Sequence, residues 1–302
     1  MDIFGYIISL SFLAQVLRLF TPYYLGASAA NFSERGGVIN IAIEGFMITS
    51  AFCYALFAVL TGNVLLSLFL AVTINILFSL LYSAFTIKLK INQIVTGVGF
   101  NLLMAGLAKF IMMLIFRSSS NTPRIESLPH IPFIADMPGI GKVLADYIII
   151  FTFLLVPISQ YLIYKTKFGL RLRSAGENPA AAESLGVNVR NYKLYGVMLS
   201  GFLSALAGIW LASNQNSFSD GMIAGRGYIA IAAMIIGKWK PWNIFWACIM
   251  FAAFEAFEIS LQISGINFPS QLLQMLPYLI TVLVLIGFIG KTKPPAADGI
   301  PY

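Results

Sequence analysis

Long apolar runs separated by short polar segments recur along almost the whole chain. A run of about twenty apolar residues can cross the ~30 Å hydrocarbon core of a bilayer as an α-helix. We predict about nine such helices, but Tyr228–Gly237 is too short to cross straight through and is expected to be broken or re-entrant. The runs are Ile3–Ala30, Val38–Leu60, Val64–Ile87, Ile94–Phe116, Leu144–Tyr164, Leu194–Ala212, Tyr228–Gly237, Trp242–Ile263 and Leu272–Gly290.

The composition also indicates a protein that lies within a membrane. Of the 302 residues, 59% are hydrophobic and 10% are charged, whereas soluble domains carry roughly 25% charged residues. The mean hydropathy is +0.84. The first run lacks a basic flank and a small-residue cleavage site, so it is interpreted as a permanent span. We therefore predict an all-α, polytopic integral membrane protein with about eight or nine transmembrane helices, in which residues 1–302 form one domain.

Residues that could support catalysis or metal binding are scarce. Cys53 and Cys248 lie inside apolar runs and are expected to be small core residues rather than a disulfide or a metal pair. His130 has no cysteine or second histidine near it, so a structural or solvated side chain is expected. No Gly-rich phosphate loop, Ser/His/Asp set or nucleic-acid-binding signature is present. The chain is predicted to be neither an enzyme nor a nucleic-acid-binding protein, and to bind no metal or cofactor itself.

The net charge of +7 is concentrated in a few segments. Residues 165–193 hold six Lys or Arg against two Glu, and the segments Lys88–Lys90 and 291–302 are also basic. Because Lys and Arg gather in the cytoplasmic loops of membrane proteins, these segments are predicted to be cytoplasmic. The nearly balanced, Pro-rich loop Arg117–Lys142 is predicted to lie outside, together with the N terminus.

One polar segment, "RLRSAGENPAAAESLGVN" at Arg171–Asn188, interrupts the apolar runs. Asn178 suits a helix N-cap, Pro179 the first helical position and Gly186 a left-handed C-cap. The pattern predicts a helix at Pro179–Leu185, roughly 10 Å long. A helix this short is marginal alone in water, so it must pack against something. Its small side chains suit a groove on another protein and equally suit its own bundle, and the pattern leaves both interpretations open.

Four polar side chains are predicted to lie at membrane depth. An isolated carboxylate there costs about 2.5–3.5 kcal/mol on insertion scales, so Glu44 should face the bundle interior and either be protonated or pair, with Lys109 and Arg18 as candidate partners. Arg226 lies among the glycines of "GMIAGRG", whose irregular backbone is tolerated at this depth only inside protein or beside a cavity. For each residue, a place in a substrate path and a role in holding helices together both stay open. The four are Asn40, Glu44, Asn101 and Arg226.

Four stretches resemble one family of transport proteins. "FSERGGVINIAIEGFMITSAF" (Phe32–Phe52) resembles its early Ser-Glu-Arg motif, and "GMIAGRGYIAIAAMIIGKWKP" (Gly221–Pro241) resembles its late Gly-Arg-Gly motif. "RSAGENPAAAESLGVNV" is similar to its coupling-helix region, and "PPAADGIPY" resembles the ending common in one subgroup. The family comprises bacterial ABC importer permeases for branched-chain amino acids, ribose-like sugars and nucleosides, and the subgroup serves nucleosides and simple sugars. Ile43 and Asp298 stand where the family often has Leu.

The resemblance implies a permease subunit of an ABC importer in the bacterial inner membrane, with nucleosides as first and simple sugars as second cargo. The implied partners are an ATPase subunit that uses the ATP, a second permease subunit (a paralogue or a copy of this chain) and a substrate-binding lipoprotein. The short cytoplasmic helix would rest in a cleft of the ATPase and transmit its closure to the bundle. The implied coupling residues are Gly176, Glu177, Asn178, Pro179, Ala180, Ala181, Ala182, Glu183, Leu185, Gly186 and Asn188.

The alternative of a different class is a secondary transporter of small polar solutes, driven by an ion gradient. Such transporters often contain two repeated halves with paired broken helices. The sequence shows no convincing internal repeat, and that interpretation leaves the capped polar helix at Pro179–Leu185 without a role.

Overall fold

The computed structural model describes residues 10–132, 141–263, 275, 279 and 293–302. The expected all-α fold is confirmed over these residues, which contain two isolated β-bridges and no longer strand. The predicted span Leu272–Gly290 lies outside them, apart from Met275 and Leu279. The helices are α1 (Leu10–Arg35), α2 (Ile43–Thr61), α3 (Val64–Ser83, continued by the π-helical turn Ala84–Lys88), α4 (Gln93–Phe116), α5 (Gly141–Leu144), α6 (Tyr147–Lys165), α7 (Lys167–Glu177), α8 (Pro179–Ser184), α9 (Val189–Gln215), α10 (Arg226–Ile236) and α11 (Pro241–Ile263).

Six of the described helices, α2, α3, α4, α6, α9 and α11, are long and apolar enough to cross a bilayer. The expected total of eight or nine spans is thus not reached among the residues that the structure describes. The run predicted to be too short for a straight crossing is indeed short, because α10 has 11 residues. At 1.5 Å per residue it is about 16 Å long, roughly half of the hydrocarbon core.

Some helix boundaries differ from the prediction. Residues 38–42 are not helical, so α2 begins at Ile43, and α9 begins at Val189, earlier than the apolar run indicated. The segment 165–193 was expected to hold one short helix, but it also contains α7. The buried residues of α7 recur at helical spacing, but most of them are small and lie in a polar, basic segment, so the sequence favours a loop around one short helix. These buried residues are Gly169, Leu172, Ala175 and Gly176.

Helix α1 is the centre of the bundle. Every residue from Leu19 to Glu34 is buried, and the helix packs against α9, α10 and α11. This stretch is comparatively polar and includes Ser28, Asn31 and Ser33. A helix that is surrounded by protein needs no lipophilic surface, which explains why α1 is absent from the six apolar helices.

Helix α3 has its polar residues inside and its apolar residues outside. Asn75 donates from Nδ2 to the Gly201 carbonyl of α9 at 2.7 Å, whereas Phe69 and Leu77 are more than half exposed. This distribution is the reverse of that in a soluble bundle and suits a helix that faces lipid, because small and polar residues mediate helix contacts in membranes. The buried residues of α3 are Ser67, Ala71, Asn75, Ser79, Tyr82 and Ser83.

The close contact between α9 and α2 requires a glycine at position 208. A Cβ there would lie 2.1 Å from the Met47 carbonyl oxygen and 2.3 Å from Ser50 Oγ. We expect Gly208→Ala to lower the thermal unfolding midpoint of the purified protein in detergent, because overpacking costs about 1–3 kcal/mol or more. Gly106→Ala is the matched control, since nothing lies within 4 Å of a Cβ at that helical position. Equal shifts in the two variants would contradict this description of the α2–α9 contact.

Candidate functional site

The N termini of α2 and α10 meet inside the bundle, and Glu44 joins them. Its Oε1 accepts a hydrogen bond from the Gly225 amide at 2.9 Å, and its Oε2 accepts one from the Gly227 amide at 2.7 Å. The first amides of a helix have no partner within the helix, and the helix dipole favours a negative charge beside them. Glu44 therefore stabilises the start of α10 from a neighbouring helix.

The backbone around Glu44 allows no larger residues at the two glycines. Gly225 has a φ of +79°, in the left-handed region that glycine adopts without strain. A Cβ at Gly227 would lie 2.7 Å from the Glu44 backbone. The Gly-Arg-Gly sequence is therefore required by the close approach of α10 to α2.

Asn101 on α4 holds the start of α2 from the other side. Its Oδ1 accepts from the Gly45 amide at 2.8 Å. Its Nδ2 donates to the Ile41 carbonyl at 2.9 Å and to the Tyr228 hydroxyl at 2.8 Å. Asn101 thus connects α4, α2 and α10 through a single amide group.

Asn40 has a comparable role in the non-helical segment 36–42. Its Nδ2 donates to Ser200 Oγ on α9 at 2.9 Å, and its Oδ1 accepts from the Ala42 amide at 3.1 Å. Gln93 Oε1 accepts from the Ile39 amide at 2.7 Å, and the Tyr82 hydroxyl donates to the Ile39 carbonyl at 2.7 Å. Side chains therefore replace the hydrogen bonds that a helix would have made along this segment.

Arg226 forms a partly buried ion pair with Glu255 on α11, with an N–O distance of 2.7 Å. The Tyr23 hydroxyl of α1 donates to the other carboxylate oxygen of Glu255. Arg226 also donates to the Met222 carbonyl at 3.0 Å. The guanidinium group thus links α10 to α11 and to the loop that precedes α10, and Glu255 extends the network to α1.

The partners suggested for Glu44 from the sequence are wrong. Lys109 instead pairs with Asp220 at 2.8 Å, and both side chains are substantially exposed. Arg18 lines a separate cavity of about 170 Å³ together with His130 and Asp146. The sequence favoured charged partners for Glu44 because it contains no direct signal that backbone amides of a distant helix would be available.

The structure brings Glu44, Asn101 and Arg226 to the start of α10, and places Asn40 before α2, where it contacts α9. All four are hydrogen-bonded to other parts of the chain. A cavity of about 100 Å³ lies beside Glu44, between α2, α4 and the loop before α10, and Asp220 also lines it. Asp220 pairs with the exposed Lys109, and the exposed Tyr228 accepts a hydrogen bond from Asn101. Sequence reasoning did not select Lys109, Asp220 or Tyr228 as candidate site residues, although Lys109 is an isolated cation in an apolar run.

Helices α7 and α8 lie at one end of the bundle, called the basic end here because it carries Lys90, Arg190 and the segment 165–193. Asn178 caps α8 by accepting from the Ala181 amide at 3.1 Å, Pro179 is the first helical residue, and Gly186 has a φ of +81°. All three predicted capping features are confirmed, and the helix ends at Ser184 rather than Leu185.

One face of α8 packs against the protein and the other is free. Pro179 and Ala182 are buried, whereas Ala181 is exposed and Leu185 is 84% exposed. A mainly apolar groove of about 430 Å³ runs along this exposed face between α7 and α8, with Leu170 and Val187 in its lining. The two interpretations of the short helix are therefore compatible, because it packs on its own bundle and still presents a surface.

Most of the predicted coupling residues are divided between this groove, lined by Glu177, Asn178, Ala181, Ala182 and Leu185, and an open crevice lined by Glu183, Gly186 and Asn188. Gly176 is buried at the end of α7, where a Cβ would lie 2.4 Å from the Arg35 carbonyl oxygen, so α7 approaches the end of α1 closely. Asn188 caps α9 by accepting from the Asn191 amide at 3.1 Å. The exposed members of the set are Glu177, Asn178, Ala180, Ala181, Glu183, Leu185, Gly186 and Asn188.

Comparisons with known proteins agree with this architecture. The model of the family described as branched-chain amino acid transport system / permease component matches residues 12–285. The nucleoside ABC transporter permease protein NupC of Lactococcus lactis subsp. cremoris (strain MG1363) is 36% identical over 302 residues, which cover 96% of this chain and 95% of that protein.

Two proteins of Bacillus subtilis (strain 168) are also similar to this chain. The guanosine ABC transporter permease protein NupQ is 37% identical over 295 residues, covering 93% of this chain and 92% of NupQ. The guanosine ABC transporter permease protein NupP is 22% identical over 307 residues, covering 95% of this chain and 86% of NupP.

Glu44 should stabilise the bundle through its two acceptor oxygens. We expect Glu44→Gln to lower the thermal unfolding midpoint, because a carboxamide has one acceptor oxygen and its NH₂ group would face a glycine amide. A hydrogen bond to a charged group contributes about 1.5–3 kcal/mol, so Glu44→Ala should lower the midpoint further. Glu126→Gln, at an exposed loop carboxylate, is the control. If Glu44→Gln and Glu126→Gln unfold at the same temperature, the bonds to Gly225 and Gly227 do not stabilise the fold.

Proposed function

The chain belongs to the branched-chain amino acid transport system permease family, and we propose that it is the permease subunit of an ABC importer for nucleosides. The choice of nucleosides as cargo rests on the 36–37% identity, over nearly full length, to two permeases named for nucleoside and guanosine transport. In this proposal the protein lies in the bacterial inner membrane with its basic end in the cytoplasm. It binds no cofactor, and ATP is bound and hydrolysed by a partner subunit.

The remaining partners are a substrate-binding lipoprotein outside the membrane and a second permease subunit. We favour a paralogue over a second copy of this chain. The support is that one organism has two guanosine permease proteins, to which this chain is unequally similar, at 37% and 22% identity. An ion-gradient-driven transporter is not favoured, because the named relatives are ABC transporter permeases.

Helix α8 is the element that contacts the ATPase. Its caps make it rigid, its buried face fixes it to α7 and α9, and its exposed face borders an apolar groove. A capped helix transmits displacement because it moves as a unit, whereas a flexible loop would absorb the motion.

The substrate path passes the start of α10. Asn40, Glu44, Asn101 and Arg226 form the frame of this region, because their polar groups are directed to backbone and side-chain partners within the chain. Three residues near this frame have exposed side chains and are proposed to line the path. They are Lys109, Asp220 and Tyr228. Their charged and hydroxyl groups suit the sugar hydroxyls and polar base edges of a nucleoside.

Uptake of labelled nucleoside into proteoliposomes tests the function. It should require this chain, the second permease, the ATPase and the external binding protein together, and a hydrolysis-deficient ATPase should abolish it. Uptake that continues with that ATPase but stops when the ion gradient is dissipated would favour the secondary-transporter alternative. Competition by unlabelled nucleosides, and its absence with simple sugars, distinguishes the two cargo classes.

Breaking α8 should uncouple ATP hydrolysis from transport. Ala182→Pro removes the amide that donates to the Asn178 carbonyl at 3.0 Å, and a proline inside a helix costs about 3 kcal/mol or more. We expect the variant to remain inserted, because the spans are held by the bilayer, but to lose transport and the stimulation of ATPase activity by loaded binding protein. Ala180→Pro lies in the first turn, where proline is tolerated, and serves as the control. Normal stimulation in the inserted Ala182→Pro variant would exclude α8 as the coupling element.

A further inference from the structure

The C-terminal tail, residues 293–302, packs along the basic end of the bundle and is bonded to both α7 and α8. The Ala297 amide donates to the Gly176 carbonyl at 2.8 Å, and the Ala296 amide donates to a Glu177 carboxylate oxygen at 3.3 Å. At the very end of the tail, the Tyr302 hydroxyl donates to the Glu183 carboxylate of α8. The tail is therefore attached to the exposed side of the short helix through Tyr302.

The middle of the same tail reaches the end of the central helix α1. Asp298 lies beside the side chain of Glu34, the penultimate residue of α1, where one of the two carboxyl groups can donate a hydrogen bond to the other when it is protonated. Lys193 of α9 donates from Nζ to the carbonyls of Gly37 and Ile300, both at 3.4 Å. Gly299 has a φ of +75° and lies so close to Ile39 that a Cβ would be 2.7 Å from its Cδ1 atom. The tail is thus fitted to the segment that joins α1 to α2.

Glu34 is itself fixed by neighbouring elements. Trp239 donates from Nε1 to the Glu34 carboxylate at 2.8 Å. Next to it, Arg35 donates to the Trp239 carbonyl at 2.9 Å and to the Tyr164 hydroxyl at 2.8 Å. Displacement of Asp298 therefore acts on the end of α1 and on the residues that follow α10.

We propose that the C-terminal tail is a coupling linkage, which transmits movement of α8 to the inner end of the central helix α1 through Tyr302–Glu183 at one end and Asp298–Glu34 in its middle. The inference rests on the proposed function of α8. It assigns positioning roles to Tyr302 and Asp298, which act through Glu183 and Glu34. The tail end also borders, with Glu183, Gly186 and Asn188, an open crevice of about 930 Å³, so it lies on the surface that α8 presents.

The contact between Asp298 and Glu34 makes docking of the tail dependent on pH. Burial raises the pKa of Asp298 to about 7, while the hydrogen bond to Glu34 and the charge of Lys193 oppose that rise. Glu34 on α1, Lys193 on α9 and Tyr82 on α3 are the titratable groups that act on this cluster. Because an undocked Asp has a pKa of about 3.9, the docked tail binds the proton more tightly, and docking weakens as the pH rises from about 4 to about 7.

Hydrogen exchange tests the docking. In the assembled complex, protection of the Ala297 amide, normalised to its intrinsic exchange rate at each pH, should fall as the pH rises from 5 to 7, by up to about tenfold per pH unit. Asp298→Asn, which keeps the shape and the hydrogen-bonding capacity, should abolish that dependence. The same pH dependence in Asp298→Asn would exclude the Asp298–Glu34 pair as the contact that holds the tail.

The linkage itself is tested by ATPase measurements in proteoliposomes with loaded binding protein. Deleting residues 295–302 should leave basal ATPase activity and assembly with the ATPase intact, but should reduce stimulation by loaded binding protein about tenfold or more. Tyr302→Phe removes one solvent-accessible hydroxyl and leaves folding undisturbed. It should reduce stimulation about two- to tenfold without changing the nucleoside KM, because one hydrogen bond is lost far from the path.

A double-mutant cycle with Glu183→Ala completes the test. The effects of Tyr302→Phe and Glu183→Ala should be non-additive if they remove one shared contact. If the wild-type complex shows no ATP-dependent nucleoside uptake, the proposed function fails. If the wild type transports but Tyr302→Phe, Glu183→Ala and the double variant all show wild-type stimulation of ATPase activity, the tail is not a coupling linkage. This conclusion holds whatever the result for the deletion.

Discussion

The structure depends on one constraint, which is that backbone amides and carbonyls inside a bilayer must find partners within the protein. The chain leaves helical geometry at residues 36–42 and again before α10, and where this backbone is buried in protein, water cannot replace the lost hydrogen bonds. Glu44, Asn101 and Gln93 supply these bonds from neighbouring helices, and Asn40 supplies one from within the segment itself. Glu44 and Asn101 also join separate helices, and Asn40 and Gln93 join the segment 36–42 to α9 and α4, so the same bonds that permit the irregular backbone help to arrange α2, α4, α9 and α10.

The distribution of polar residues follows from the same environment. The centre of the bundle is the comparatively polar helix α1, whereas α3 and α4 place Leu and Phe on their exposed faces. In lipid, no hydrophobic force draws these helices together, so close packing at glycines such as Gly208 and hydrogen bonds such as Asn75 to Gly201 hold them. A half-length helix such as α10 is stable in this setting because its N terminus is capped by the Glu44 carboxylate within the protein.

The basic end differs physically from the bundle centre. There the contacts are a mixture of glycine-mediated close approaches and polar bonds between segments far apart in sequence, such as Ala297 to Gly176. Such contacts hold α7, α8 and the tail against α1 and α9 while leaving one face of α8 free. This combination suits an element that must be fixed to its own bundle and still be accessible to a partner.

The sequence by itself determined the features that depend on neighbouring residues. Helix-forming runs, the short α10, and the capping of α8 by Asn178, Pro179 and Gly186 could be predicted because caps and periodicity act within about four residues along the chain. The motifs also identified the family. The tertiary structure alone decided that Glu44 binds the amides of Gly225 and Gly227 rather than Lys109 or Arg18, that Arg226 pairs with Glu255, and that Asp298 meets Glu34. These pairs are separated by about 30 to more than 260 residues, and whether they meet depends on how the helices pack, which no local pattern records.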